Sequence, residues 1–366
     1  MGIGPRAVEG VELKRAFWRG RRVLVTGHTG FKGSWLTAWL KAMGAEVTGY
    51  SLEAPTTPSL FEEANIHDGI DSVSGDIRDL DRLRRTFAAK NPEVVFHLAA
   101  QSLVRAGYDD PIGTYSTNVL GTVHVLEVIR QTESVRAAIV VTSDKCYDNG
   151  DSLWPYREND RLGGHDPYAS SKACAELVTE AYRSSFFGDG RCGIASVRAG
   201  NVIGGGDWAA NRLVPDLLRA FGEGTPALIR NPGSIRPWQF VLEPLRGYLT
   251  LAQALVAGDG GLAGAWNFGP HDHDVRPVQW IADRLVENWG PEAAWRMETQ
   301  PDAKPEAFTL KLDSSKARTL LGWDPKVGLN TALEWIVEWH RGWIEHHELA
   351  ADLVREQIER FESIHE

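Results

Sequence analysis

The 366-residue sequence predicts an α/β protein built on a doubly wound parallel sheet, followed by a smaller, mostly helical substrate-binding region. Three observations carry this. Short, β-rich apolar runs alternate with helix-period segments through the first two hundred residues. A glycine-rich turn joins the first run to the first helix. Past residue 200 the alternation gives way to glycine- and proline-marked loops, and helices dominate after Pro277.

The runs 22–26, 46–50, 94–98, 137–142 and 194–198 are bounded by turn formers and read as buried strands. A third strand, in chain order, ends just before Gly75. Between the strands, 33–43, 80–89, 115–130 and 168–184 carry helical periodicity. Residues 1–200 are expected to form the nucleotide-binding domain, with 235–265 returning to pack on its sheet. Residues 201–234 and 266–366 would form the second domain, and 346–366 reads as a polar amphipathic helix of no assigned role. A net charge of −10 argues against nucleic acid or an anionic membrane as partner. It leaves room for an anionic substrate held by a local arginine cluster. No apolar stretch approaches the roughly 20 residues that span a bilayer, and the first residues lack the apolar core of a secretory signal. Cys146, Cys174 and Cys192 have no metal-type spacing, so no metal is expected and a reduced, cytoplasmic protein is. The fourteen tryptophans read as packing residues.

The turn Gly27-His28-Thr29-Gly30-Phe31-Lys32-Gly33 lies between a strand and a helix. Glycines there let the backbone approach a pyrophosphate, and the helix N-terminus favours its charge. This is a Rossmann-like arrangement, and the Gly-x-x-Gly-x-x-Gly spacing resembles the extended short-chain dehydrogenase/reductase superfamily. Ser51 stands where an acid ordinarily accepts the ribose hydroxyls. NAD is the expected cofactor because no arginine closely follows the second strand to receive a 2′-phosphate. His28 and Lys32 could each touch a phosphate, which keeps NADP open. Asp76 and Ile77 are expected near the adenine, Leu98, Ala99 and Ala100 along the cofactor, and Gln101 at the substrate. Asn118 reads as a structural amide.

Ser143-Asp144-Lys145 closes an apolar run, and Tyr168 and Lys172, four residues apart, share one face of a following helix. A free phenol titrates near ~10, so it needs a cation beside it to act as a base at neutral pH. Lys172 and a bound nicotinamide would supply that charge, with Ser143 bonding the same sugar oxygen. Asp144 and Lys145 add an acid and a base that hydride transfer alone does not require. Together they suit removal of water from C5 and C6 of a sugar oxidised at C4. A lysine base must be neutral, which calls for burial or a cationic neighbour.

Five segments resemble the cytidine-diphosphate-glucose 4,6-dehydratases: Thr26-Gly-His-Thr-Gly-Phe-Lys-Gly-Ser-Trp-Leu36, Thr142-Ser-Asp-Lys-Cys-Tyr-Asp-Asn149, Gly164-His-Asp-Pro-Tyr168, Val197-Arg-Ala-Gly-Asn-Val-Ile-Gly-Gly-Gly-Asp-Trp208 and Ile235-Arg-Pro-Trp-Gln239. The resemblance implies a CDP-glucose or related nucleotide-diphosphate-glucose substrate. It also implies a homodimer or tetramer formed through the helices near 115–130 and 168–184. Asn201 and Arg236 become expected diphosphate contacts, with Arg212 and Asn211 beside them. Phe240 and Pro305 depart from the family, which has histidine at both places, and bear on base and sugar preference. The competing expectations are a nucleotide-sugar 4-epimerase, which would share Ser143, Tyr168 and Lys172, and a non-enzymatic dinucleotide sensor.

Overall fold

A computed structural model describes residues 11–258, 260–298 and 309–365. Its strands are β1 (Arg22–Thr26), β2 (Glu46–Ser51), β3 (Asp71–Ser74), β4 (Val94–His97), β5 (Ala137–Val141) and β6 (Gly193–Ala199), then β7 (Asn201–Ile203), β8 (Ala227–Ile229), β9 (Ile235–Phe240), β10 (Gly264–Phe268), β11 (Val275–Pro277) and β12 (Trp295–Met297). Seven of them form one parallel sheet in the order β3-β2-β1-β4-β5-β6-β10. The doubly wound sheet expected from the sequence is present.

Side chains in these strands alternate between two cores. Val23, Val25, Val94, Phe96 and Ile139 enter one cluster, while Leu24, Val95, Ala138 and Val140 enter the other. Because helices cover both faces, the strands read as continuous apolar runs. The helices Phe31–Ala42 and Leu242–Val256 cover the first face; Leu80–Lys90, Gly121–Gln131 and Pro167–Phe186 cover the second. Thr26 pairs in register with both Tyr50 and His97, which aligns the carboxyl ends of β1, β2 and β4. The chain leaves β1 and β4 toward opposite flanks, so a crevice opens between them, where such sheets bind ligands.

The returning segment differs from its expected limits. Ile235–Phe240 belongs to a small sheet of order β11-β9-β7, whereas Leu242–Val256 and Gly264–Phe268 rejoin the large one. Both strands are short and apolar, so local pattern cannot tell which sheet receives them. A second core gathers Val214, Leu217, Phe221, Trp238, Leu285 and Ile336 around the small sheets. The C-terminal helix Ala350–His365, expected with the second domain, packs on Leu329–Glu345 of that region and also on Phe31–Ala42. Val354, Ile358 and Phe361 form its apolar stripe, and Phe361 meets Trp39 edge-on at 5.5 Å. Phe240 is fully buried against Trp335 and Phe361 and does not line the crevice. Pro305 lies outside the described residues. Trp18, Trp35, Trp39 and Trp335 are packing residues as expected, but Trp154 is 80% exposed.

Candidate active site

Gly27 turns the chain at a φ of 77°. A Cβ there would lie 2.6 Å from the Ala99 nitrogen, and one on Gly33 would lie 2.0 Å from the Gly27 carbonyl oxygen. Gly30 caps the helix Phe31–Ala42 without any side chain bonding its first amides. Those N–H groups and the positive helix end therefore face the crevice, ready for an anion. The turn forms one wall of a cleft of about 970 Å³. Thr29, Phe31, Lys32, Ser51, Asp76 and Ile77 line it, as do Leu98, Ala99 and Ala100. Thr29 Oγ1 and Ser51 Oγ are 2.8 Å apart. Arg78 grips Asp76 through its guanidinium and its amide, holding that carboxyl below the usual carboxylate range.

Two expected contacts have side chains engaged elsewhere. The His28 imidazole is packed under Gly49, bonds Ser72 Oγ at 2.8 Å and meets Phe61 edge-on. Burial pulls its pKa to about 4, so it is neutral and brings no charge to a phosphate. The Gln101 amide is taken by Thr114 Oγ1 at 2.9 Å and by the Leu103 N–H at 2.5 Å. Asn118, in a π-helical turn over Ser116–Leu120, clamps the Gln101 backbone from both sides and donates to Ser171 Oγ. That is the structural amide expected of it.

Lys32, a residue that could touch a phosphate, lines the cleft with its ammonium bonded within the protein. Its Nζ donates to Tyr248 Oη at 3.1 Å and stands 5.2 Å from the centre of that ring. Burial, then the charges of Lys172 and Arg212, lower its pKa to about 7, with Asp144 opposing them. Lys32 thus reaches the catalytic end of the cleft. Tyr248 lies on a helix whose pattern announced only sheet packing.

The strand end of β5 and the helix Pro167–Phe186 supply the reacting groups. Asp166 caps that helix by accepting from the Ala169 N–H at 2.9 Å, and Pro167 fixes its first turn. Tyr168 therefore enters on the first turn and Lys172 on the second. Ser143 caps a 3₁₀ turn over Asp144–Cys146. Its hydroxyl accepts from the Lys145 N–H at 3.2 Å and donates to Asp144 Oδ1 at 3.0 Å. Asp144 is 3% exposed, and its Oδ2 is buried without a protein partner. Burial pushes its carboxyl above the usual range, against the nearby charges of Lys145 and Arg236. Lys145 is half-buried on the same wall. Burial also raises the Tyr168 phenol, outweighing the Ser143 hydrogen bond and the charge of Arg212. The expected lowering by Lys172 is absent from the free chain; that ammonium donates to the Val141 carbonyl at 3.3 Å, and burial draws it down to about 8.

Across the cleft stand Asn201, Arg212 and Arg236. Arg212 pairs with Asp207 at 3.7 Å and donates to Ser102 Oγ at 3.3 Å. Asn211, in the left-handed region at φ 64°, accepts from Arg105. Arg230, Trp208 and Trp238 line the same region and went unnoticed in the sequence, although Trp208 and Trp238 fall inside quoted motifs.

Residues 24–335 match the family described as GDP-mannose 4,6 dehydratase. The chain is 53% identical over 342 residues to a CDP-glucose 4,6-dehydratase from Salmonella typhimurium, covering 92% of this chain and 95% of the relative. A UDP-glucose 4-epimerase from Mycolicibacterium smegmatis is 28% identical over 326 residues, 87% of this chain and 98% of the relative. Among solved structures, the Thermus thermophilus UDP-glucose 4-epimerase in complex with NAD superposes with a TM-score of 0.76 at 26% identity, covering 88% of this chain and 99% of that one.

Proposed function

We propose that this chain, which belongs to the GDP-mannose 4,6 dehydratase family, is an NAD-dependent hydro-lyase that converts CDP-glucose to its 4-keto-6-deoxy product. The residues suit NAD: a glycine cradle that a Cβ would fill, uncapped helix amides, and a strand end without a cation for a 2′-phosphate. When bound, NAD would supply the hydride acceptor for C4 of the sugar and the hydride donor for C6. Tyr168 accepts the proton of the C4 hydroxyl while Ser143 bonds the same oxygen. Lys145 removes the proton at C5, now acidic beside the ketone. Asp144 protonates the C6 hydroxyl, which leaves as water, and Lys145 returns its proton to C5 as the hydride arrives. Asn201, Arg212 and Arg236 hold the diphosphate, the arginines as planar forks on its oxygens.

The observation that carries this reading is Asp144. It is buried, biased toward the protonated form, and has one oxygen free of protein partners beside the Ser143 hydroxyl. A 4-epimerase has no step that uses such an acid. Incubation with NAD and a panel of nucleotide-diphosphate-glucoses tests the substrate: CDP-glucose should give the 4-keto-6-deoxy sugar fastest, and none from it would reject the assignment. Lys145→Met should cripple a dehydratase and leave an epimerase largely active.

A homodimer also fits. Ile112 is 82% exposed, Leu120 54% and Leu177 59%, on neighbouring helical segments that could continue into a second copy. Among the described residues no helix is long and apolar enough to cross a membrane.

A further inference from the structure

Glu176 lies one turn beyond Lys172, and nothing in the reaction just described uses it. Its carboxylate accepts from Ser196 Oγ at 2.6 Å, from Arg198 Nη2 at 2.8 Å and from the Thr142 hydroxyl. Both charged side chains of the pair are 3% exposed. Arg198 also donates to Tyr147 Oη at 2.7 Å and to the Glu158 carbonyl at 3.0 Å, and Tyr147 donates to Asn267 at 2.8 Å. A buried chain of polar contacts therefore runs from the catalytic helix, through the residue before Ser143, to β6 and β10. Desolvating such a pair is expensive, and apolar residues of the same size often serve stability as well or better. Stability alone is a weak reason for its presence.

Several groups bear on the Lys172 ammonium. From its own helix comes Glu176, and from the 3₁₀ turn Cys146. His97 at the end of β4 and Lys32 on the helix Phe31–Ala42 feel its charge. Burial, then Lys172 itself, lowers His97 to about 3, and burial raises the Cys146 thiol well above its ordinary value, so both are neutral. Lys32 is a like charge, and Asp144 acts on Lys32 and Tyr168. Glu176 is thus the anion that supports Lys172. Burial opposes its charge, but the hydrogen bond and charge of Arg198, with Ser196 and Thr142, hold it below the usual carboxylate range.

We propose that Glu176 is a positioning residue of the proton relay: its buried charge keeps Lys172 an ammonium at neutral pH, and its bond to Thr142 sets the Ser143 hydroxyl against the Tyr168 ring. This rests on the relay assigned to Tyr168 and Lys172 above. Removing the charge with Glu176→Gln lowers the proton affinity of Lys172 and moves the alkaline limb of kcat/KM to lower pH by about one unit. Glu176→Asp restores the limb.

The test combines two readouts. Titration of ¹³Cε-lysine-labelled protein by NMR, with the Lys172 signal assigned by its loss in Lys172→Met, follows the ammonium without turnover. The kcat/KM profile follows the relay. The double variant Glu176→Gln/Arg198→Met removes both charges while filling the same space, and covers the case in which the single variant fails to fold. A lower titration midpoint for Lys172 in either variant supports the proposal; an unchanged midpoint in the folded variant overturns it. A shifted midpoint with an unshifted activity limb would instead place the error in the relay itself. A purely structural pair would give a double variant with the wild-type midpoint.

Discussion

Replacing Asp144 by Asn should separate dehydration from oxidation. The amide matches the carboxyl in shape and can still take the Ser143 hydroxyl, which lies 3.0 Å from Oδ1. What it cannot do is deliver a proton from the position of Oδ2, the oxygen without a protein partner. General acids of this kind contribute about 10²–10⁴ in rate, or roughly 3–5 kcal/mol of barrier. Product formation should therefore fall by that factor, while oxidation at C4 continues and reduced nicotinamide builds up in single-turnover absorbance traces. Stability should move the other way. The folded chain holds the Asp144 proton more tightly than the unfolded one, so its ionisation costs stability as pH rises above the ordinary carboxylate value. Each unit of that shift is about 1.4 kcal/mol. Asp144→Asn should then unfold later than wild type at pH 8, with a smaller difference at pH 5. If oxidation and product formation fell together, or if product formation were unchanged, Asp144 would not be the acid.

Lys32→Met should stabilise the protein by on the order of 1–3 kcal/mol near neutral pH. The folded Lys32 titrates at about 7, below its unfolded value of 10.5, so the gain should be full below about pH 7 and shrink toward pH 10 in denaturant melts; a gain that grew with pH would contradict the assigned burial. Phe361→Ala should cost about 3–4 kcal/mol, seen as a lower Tm, because the ring is fully buried against Trp39 and Phe240; a loss under about 1 kcal/mol would mean that the C-terminal helix adds little. Arg236→Met should raise KM roughly ten- to a hundredfold with kcat changed far less, as expected for a lost charge-assisted contact to the diphosphate. A fall confined to kcat would move Arg236 from binding to chemistry.

Much of the architecture was legible because helices cover both faces of the sheet. Val23–Val25 and Val94–Phe96 are apolar at every position, and turn formers bound them. The helical periodicity of 168–184 and the four-residue spacing placed Tyr168 and Lys172 on one face. The third strand was hard to bound, because Asp71–Ser74 at the sheet edge is largely polar. The assignments of β9 and β10 depended on partners far along the chain, and no local pattern encodes those. The Lys32 contact was hidden for a similar reason. The backbone amides of the glycine turn face the cleft entrance, while this side chain runs on to Tyr248, more than two hundred residues away in sequence. The Tyr168 shift was missed because helix spacing gives proximity to Lys172 but says nothing of desolvation, which dominates here. In the C-terminal helix, Val354, Ile358 and Phe361 marked an amphipathic stripe but not the surface that receives it.

The most direct measurement follows one hydrogen. CDP-glucose carrying deuterium at C4, mixed with undeuterated substrate bearing a heavy-carbon ring, is turned over and the product read by mass spectrometry and NMR. The account predicts deuterium at C6 of the same sugar molecule that carried it at C4, with none crossing to the heavy-carbon ring. Deuterium absent from C6, or scrambled between the two sugars, would contradict it.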